Sequence, residues 1–178
     1  MIETERLILR AWRAEDAKAH HAMCADPAII RTLGGPPSPS DSRAVVERQN
    51  RFLRDTGSCF WALEERTTSR FVGWCGIKPG AAGTPIATES EIGWSLAVDY
   101  WGHGYAREAA VASLGWAWSE LGLPGVAAIT TPGNERSRSL MVRLGMSLCP
   151  DEDFDHPDLA PSDPLRRHIV YRIARPVH

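Results

Sequence analysis

The chain has 178 residues, with 22 acidic against 20 basic side chains and a formal charge of −2. That length suits one domain, residues 1–178, able to bury about 70% of its unfolded surface without metal or disulfide staples. So small a net charge supplies no global field for nucleic acid, and no apolar run approaches the roughly 20 residues of a membrane span. The charged start, Glu3, Glu5 and Arg6, reads against a secretory leader. Cys24, Cys59, Cys75 and Cys149 are scattered without C-x-x-C or Cys/His spacing, so the expectation is reduced thiols, no metal and a cytoplasmic location.

Residues 4–12 alternate as a first strand. Residues 14–25 form an alanine-rich helix with Glu15 and Asp16 in its first turn, stopped near Pro27. A Gly/Pro/Ser loop occupies 33–40, after which Ser40 or Asp41 caps a helix to about Asp55 whose apolar face holds Val45, Val46, Phe52 and Leu53. This early helical pair is the expected place of substrate selection. Two antiparallel strands follow at 58–65 and 70–78, and the turn at 79–85 leads to a strand at 89–98. That strand sets Ile92, Trp94, Leu96 and Val98 on one face and Glu89, Glu91, Gly93, Ser95 and Ala97 on the other.

After a glycine-rich turn, a helix carries Val111, Leu114, Trp118 and Leu121 as its packing stripe and ends at Gly122. A short strand at 126–131, a helix at 134–144 closed by Gly145, and a brief strand at 146–149 come next. Residues 151–164 are acidic and proline-rich, hence loop, and 168–173 supply the last strand. The order β-α-α-β-β-β-α-β-α-β-β mixes hairpins with one βαβ crossover. It predicts an α+β, or mixed α/β, fold and not an all-parallel sheet.

The turn reads Tyr-Trp-Gly-His-Gly-Tyr-Ala-Arg from Tyr100 to Arg107, between a strand and a helix. Backbone N–H groups of such a turn, with the unpartnered first amides and positive dipole end of a helix, make an anion site of pyrophosphate size. A dinucleotide fingerprint needs a third glycine where Arg107 stands, which disfavours an oxidoreductase, and the Gly-Lys-Ser/Thr of a Walker loop is absent.

The string from Trp101 to Ala106 resembles the pyrophosphate loop of the GNAT N-acetyltransferases, Gln/Arg-x-x-Gly-x-Gly/Ala, with Trp101 in place of the usual Gln or Arg. The segment from Glu91-Ile92-Gly93-Trp94 to Glu108-Ala109, and the opening Glu3 to Arg10, are similar to the ribosomal-protein N-terminal acetyltransferase branch. Asn134-x-x-Ser137-x-x-Leu140-x-x-Arg143-Leu144-Gly145-Met146 resembles the family's later motif. The resemblance spans nearly the whole chain. It implies a central, mostly antiparallel sheet of about six to seven strands flanked by about four helices.

It also implies acetyl-CoA as cosubstrate and an amine acceptor, either a protein N-terminus or a small molecule, attacking the thioester directly in a monomer or homodimer. The implied cofactor contacts are Leu96, Ala97 and Val98 at the strand end, Trp101, Gly102, His103, Gly104, Tyr105, Ala106 and Arg107 in the loop, and Asn134 and Ser137 on the later helix. Glu91 is the candidate base, with Glu89 its rival. The tyrosine that many members use as acid falls at Met141, so Ser137 becomes the candidate acid. His168 and Tyr171 are candidate acceptor-side residues, against a structural role for both. The rival reading is a CoA-binding sensor without catalysis on the same fold.

Overall fold

The computed structural model describes residues 1–177. One sheet holds eight strands: β1 (Ile2–Glu3), β2 (Leu7–Arg10), β3 (Phe60–Glu65), β4 (Phe71–Pro79), β5 (Ser90–Leu96), β6 (Gly125–Thr130), β7 (Ser147–Asp155) and β8 (Arg167–Ala174). Their spatial order is β1-β2-β3-β4-β5-β6-β8-β7, and every neighbouring pair is antiparallel except β5 with β6. Five α-helices join them: α1 (Asp16–Cys24), α2 (Pro27–Leu33), α3 (Pro39–Thr56), α4 (Tyr105–Ser119) and α5 (Glu135–Arg143). Among the described residues no helix is long and apolar enough to cross a membrane.

The mixed, mostly antiparallel architecture is the expected one, with one strand and one helix more than the sequence suggested. The predicted strand at 4–12 is a hairpin, because the Thr4 N–H donates to the Leu7 carbonyl while the Thr4 hydroxyl oxygen accepts the Leu7 N–H, and together they turn the chain. Pro27 starts a helix instead of ending one: the Asp26 carboxylate accepts the Ala28 N–H at 2.7 Å, and a proline in the first turn has no amide to lose. Ser38, not Ser40 or Asp41, caps α3 through a reciprocal capping box with Asp41. β7 runs on through the acidic segment to Asp155, with a register shift between Cys149 and Phe154.

α4 and α5 cover one face of the sheet, over Trp61, Leu63, Cys75, Ile77, Ile92 and Val126. α4 meets this layer with Ala109, Ala110, Ser113, Leu114 and Ala117, while Val111 is 49% exposed. Small side chains let the helix approach the strands closely; of the expected stripe, Leu114, Trp118 and Leu121 lie in or against this core and Val111 does not. On the opposite face Ala62 of β3 clusters with Trp12, Ala17 of α1 and Val46 of α3, and Trp74 stacks on Phe60 at 4.9 Å.

The sheet opens at its parallel seam. β5 pairs with β4 along its whole length, from Gly73–Leu96 to Pro79–Ser90, but meets β6 at the single bridge Glu91–Ala127. Ala97 donates to the Val72 carbonyl on the β4 side. Backbone groups alternate sides along a strand, so those of Trp94 and Leu96 face the gap.

Candidate active site

A cleft of about 650 Å³ lies at the open end of that gap. One wall is the end of β5 (Trp94, Ser95, Leu96), continuing into Trp101, Gly102 and the first turn of α4. The facing wall is the start of α5, with Asn134, Arg136 and Ser137, and α2 closes the mouth with Ile29, Thr32 and Leu33.

Gly102 and Gly104 have φ of +82° and +81°, left-handed angles that cost an L-residue about 1–2 kcal/mol. A Cβ on Gly102 would meet nothing within 4 Å, so the loop faces open space. Gly104 is the N-cap of α4 and brings no capping side chain. The first intrahelical bond is Glu108 N–H to the Gly104 carbonyl, so the amides of Tyr105, Ala106 and Arg107 have no partner within the helix. Arg107, Arg136 and Arg143 also line the cleft, against one acid, Glu135.

The loop is pinned from the N-terminal hairpin. The Arg6 guanidinium donates to the His103 carbonyl at 2.9 Å and to the Glu108 carboxylate at 2.6–2.7 Å, and lies 4.5 Å over the Tyr105 ring. The same carboxylate accepts the Thr4 hydroxyl at 2.6 Å and the Arg6 N–H at 2.8 Å, while the Tyr105 hydroxyl donates to Glu65 at 2.6 Å. Partial burial opposes ionisation of Glu108, but these donors outweigh it and hold the carboxyl below its ordinary range. Arg6, Glu65 and Glu108 were not singled out in the sequence. Their only signal was a base in the β1–β2 turn, an acid at the end of β3 and an acid in the first turn of α4, which the topology brings together beside the loop.

On α5, Asn134 caps the helix by accepting the Ser137 N–H at 3.2 Å. The Ser137 hydroxyl lines the cleft and makes no hydrogen bond among the described residues. Met141, one turn on, is 2% exposed and packs in the main core. The position where a tyrosine was sought therefore serves the interior.

Leu96, Trp101, Gly102, Gly104, Tyr105, Ala106, Arg107, Asn134 and Ser137 are all brought to the cleft. Ala97, Val98 and His103 are not among its lining residues. β5 ends at Leu96, and Val98 opens a single 3₁₀ turn, Val98–Tyr100. Ala97 and Val98 pack on Met23, Cys24 and Ile29, and His103 contributes its carbonyl to Arg6.

Glu91 is 8% exposed, lies on the face away from α4 at the β5–β6 bridge, and is ion-paired with its cross-strand neighbour Lys78. Glu89 is held by Arg172 at 2.7–3.1 Å, and Arg172 also binds Glu152. His168 and Tyr171 do not line the cleft. His168 donates through Nδ1 to the Arg166 carbonyl at 3.1 Å, 5.6 Å from the Phe154 ring. Burial first, and then the nearby His156, lower its pKa. Tyr171 is 3% exposed in the α4/α5 core.

The three buried cysteines offer no nucleophile: burial pushes the Cys24 thiol up to about 11 and those of Cys59 and Cys75 to about 12. Among the described residues no three His, Cys, Asp or Glu side chains converge as a metal site would require.

The glycine turn leads into α4 where the sequence resemblance put the pyrophosphate loop, and a family model supports the family that the resemblance named. The model of the acetyltransferase (GNAT) domain matches residues 6–147. The chain belongs to the GNAT acetyltransferase family. Bacillus subtilis YkkB is 32% identical over 144 residues, 80% of this chain and 83% of that protein. The N-acetyltransferase YoaA of the same organism is 26% identical over 147 residues, 82% and 81% of the two chains. The crystal structure of an acetyltransferase from Agrobacterium tumefaciens superposes with a TM-score of 0.78 at 30% identity, covering 98% of this chain and 94% of the other. Acetyl transfer from acetyl-CoA is the chemistry of this GNAT fold.

Proposed function

We propose that this protein acetylates a primary amine by direct attack in a ternary complex, as in the ribosomal-protein N-terminal branch. The observation that carries the reading is the uncapped start of α4 behind two left-handed glycines, opening on a cleft that continues into the β5–β6 gap. Acetyl-CoA brings the activated thioester. The amides of Tyr105, Ala106 and Arg107 and the helix dipole would hold its pyrophosphate. The gap-facing backbone of Trp94 and Leu96 would hold the pantetheine, with the Leu96 carbonyl already committed to the Trp101 indole at 2.7 Å.

Ser137 is the acid in this reading, since its hydroxyl faces the cleft uncommitted while Met141 is buried. Glu91 is the base, relayed by water from the apex of the gap, where Lys78 fixes its carboxylate. Glu89 is a poorer base, being clamped by Arg172.

The test is acetyl-CoA turnover against a panel of peptide N-termini, polyamines and amino acids. Glu91→Gln is expected to lower kcat by about 10²-fold, and Ser137→Ala by about 10-fold to 100-fold, each without a change in CoA affinity. Binding of CoA without transfer to any amine would favour the sensor reading. Unchanged turnover in Glu91→Gln would move the base elsewhere.

A further inference from the structure

Arg136 stands on the α5 wall, yet its guanidinium carbon lies 4.2 Å from the ring centroid of Trp101 on the opposite wall. Trp101 is a fixed platform: its indole donates to the Leu96 carbonyl at 2.7 Å and its N–H to the Val98 carbonyl at 3.0 Å. Stacking engages the face of the guanidinium and leaves its edge donors available. Among the described residues no hydrogen bond or ion pair takes them, whereas Arg138 is tethered to the Pro132 carbonyl at 3.0 Å and does not line the cleft. The side chain is also misplaced for helix stability, because a cation in the first turn of α5 opposes the helix dipole. Arg107 and Arg143 line the same cleft without an aromatic platform.

We propose that Arg136, laid flat on Trp101, is a pyrophosphate-binding residue. Its edge donors act with the Gly102–Tyr105 loop from the other side of the cleft, and the stack sets their direction before the ligand arrives. The inference rests on the acetyl-CoA reading above and goes beyond it. It assigns one cation of several, and makes Trp101 the residue that orders it.

Calorimetric titration of CoA, dephospho-CoA and pantetheine into the wild type, Arg136→Gln, Arg136→Lys and Trp101→Leu tests it. Arg136→Gln is expected to weaken CoA and dephospho-CoA equally, by about 10-fold at low salt and less at high salt, and to leave pantetheine unchanged. Arg136→Lys keeps the charge without the planar fork and is expected to recover part of the loss. Trp101→Leu is expected to match Arg136→Gln, and the double variant to be no weaker than either single one. Because Arg136 is exposed, its variants are expected to fold even if Trp101→Leu does not. Equal loss for pantetheine, a loss confined to CoA with dephospho-CoA unaffected, or additive single effects would each overturn the proposal. A wild type that binds none of the three would refute the acetyl-CoA reading instead.

Discussion

Arg6 and Arg10 lie four residues apart, at the turn and in the second strand of one hairpin, and anchor two networks of similar chemistry with opposite settings. Arg10 is 7% exposed. It binds Asp16 through two nitrogens at 2.7 and 2.9 Å and Glu64 at 2.7 Å, and Arg13 adds a second cation to Glu64. Burial works against its charge, but the two carboxylates overcome that and raise its pKa. Arg6 sits at the rim, its side chain 40% exposed, and spends its donors on Glu108 and on the carbonyl of a loop whose own amides stay open. The enclosed network is saturated and ties β2, β3 and α1 together. The rim network is a bracket that leaves the donors it positions free for a ligand.

The largest expected effect breaks the enclosed network. Arg10→Met would strip the buried Asp16 of its cation and leave Glu64 to the exposed Arg13 alone, and should cost about 3–5 kcal/mol, read as a lower urea midpoint at unchanged slope. A loss under about 1 kcal/mol would mean that water reaches the cluster.

Next comes the loop itself. Gly104→Val, forced to the left-handed angle, should abolish the stabilisation by CoA, which at 100 times its dissociation constant is about 2.7 kcal/mol in the wild type. A folded variant whose melting temperature still rises with CoA would separate the anion site from this loop.

Arg6→Met sharpens the contrast. Arg6 is itself at the rim, and Glu108 keeps the Thr4 hydroxyl and the Arg6 N–H, so the cost in stability should stay within about 1 kcal/mol, whereas CoA should bind about 10-fold more weakly, because the His103–Gly104 peptide loses its anchor. Equal damage to stability and binding would make Arg6 a second Arg10.

The smallest effect is a titration beside the enclosed region. His20 is buried against Ser42 and Cys24, and burial first, then Arg48 and His21, depress its pKa. The unfolded chain therefore takes up the proton first. Stability should be full above about pH 6.5 and fall as pH drops through the lower folded value. Urea midpoints between pH 8 and pH 5 should show a shallower fall in His20→Gln. An identical slope would assign the effect to His168, whose folded value is also lowered.

Legibility in the sequence followed the range of the interaction. The glycine loop and the Asn134 cap could be read because each is a local backbone requirement met by consecutive residues. α2 went unread because Pro27 signals a stop as readily as a start, and only Asp26 bonding the Ala28 N–H decides between them. The α4 stripe was incomplete, with Val111 exposed and the small residues left out, because alanines at close approach bury as fully as leucines at ordinary distance.

By itself, then, the sequence determined most of the succession of elements, the glycine loop and the family, since period, capping and turn chemistry act within a few residues. The tertiary structure alone decided that Arg6 holds the loop, that Met141 turns inward while Ser137 faces the cleft, and that Arg136 crosses to Trp101. These depend on which strands become neighbours and on a sheet that parts after one bridge between β5 and β6. Such pairings join residues as far apart as Arg6 and Glu108, and no local pattern encodes them.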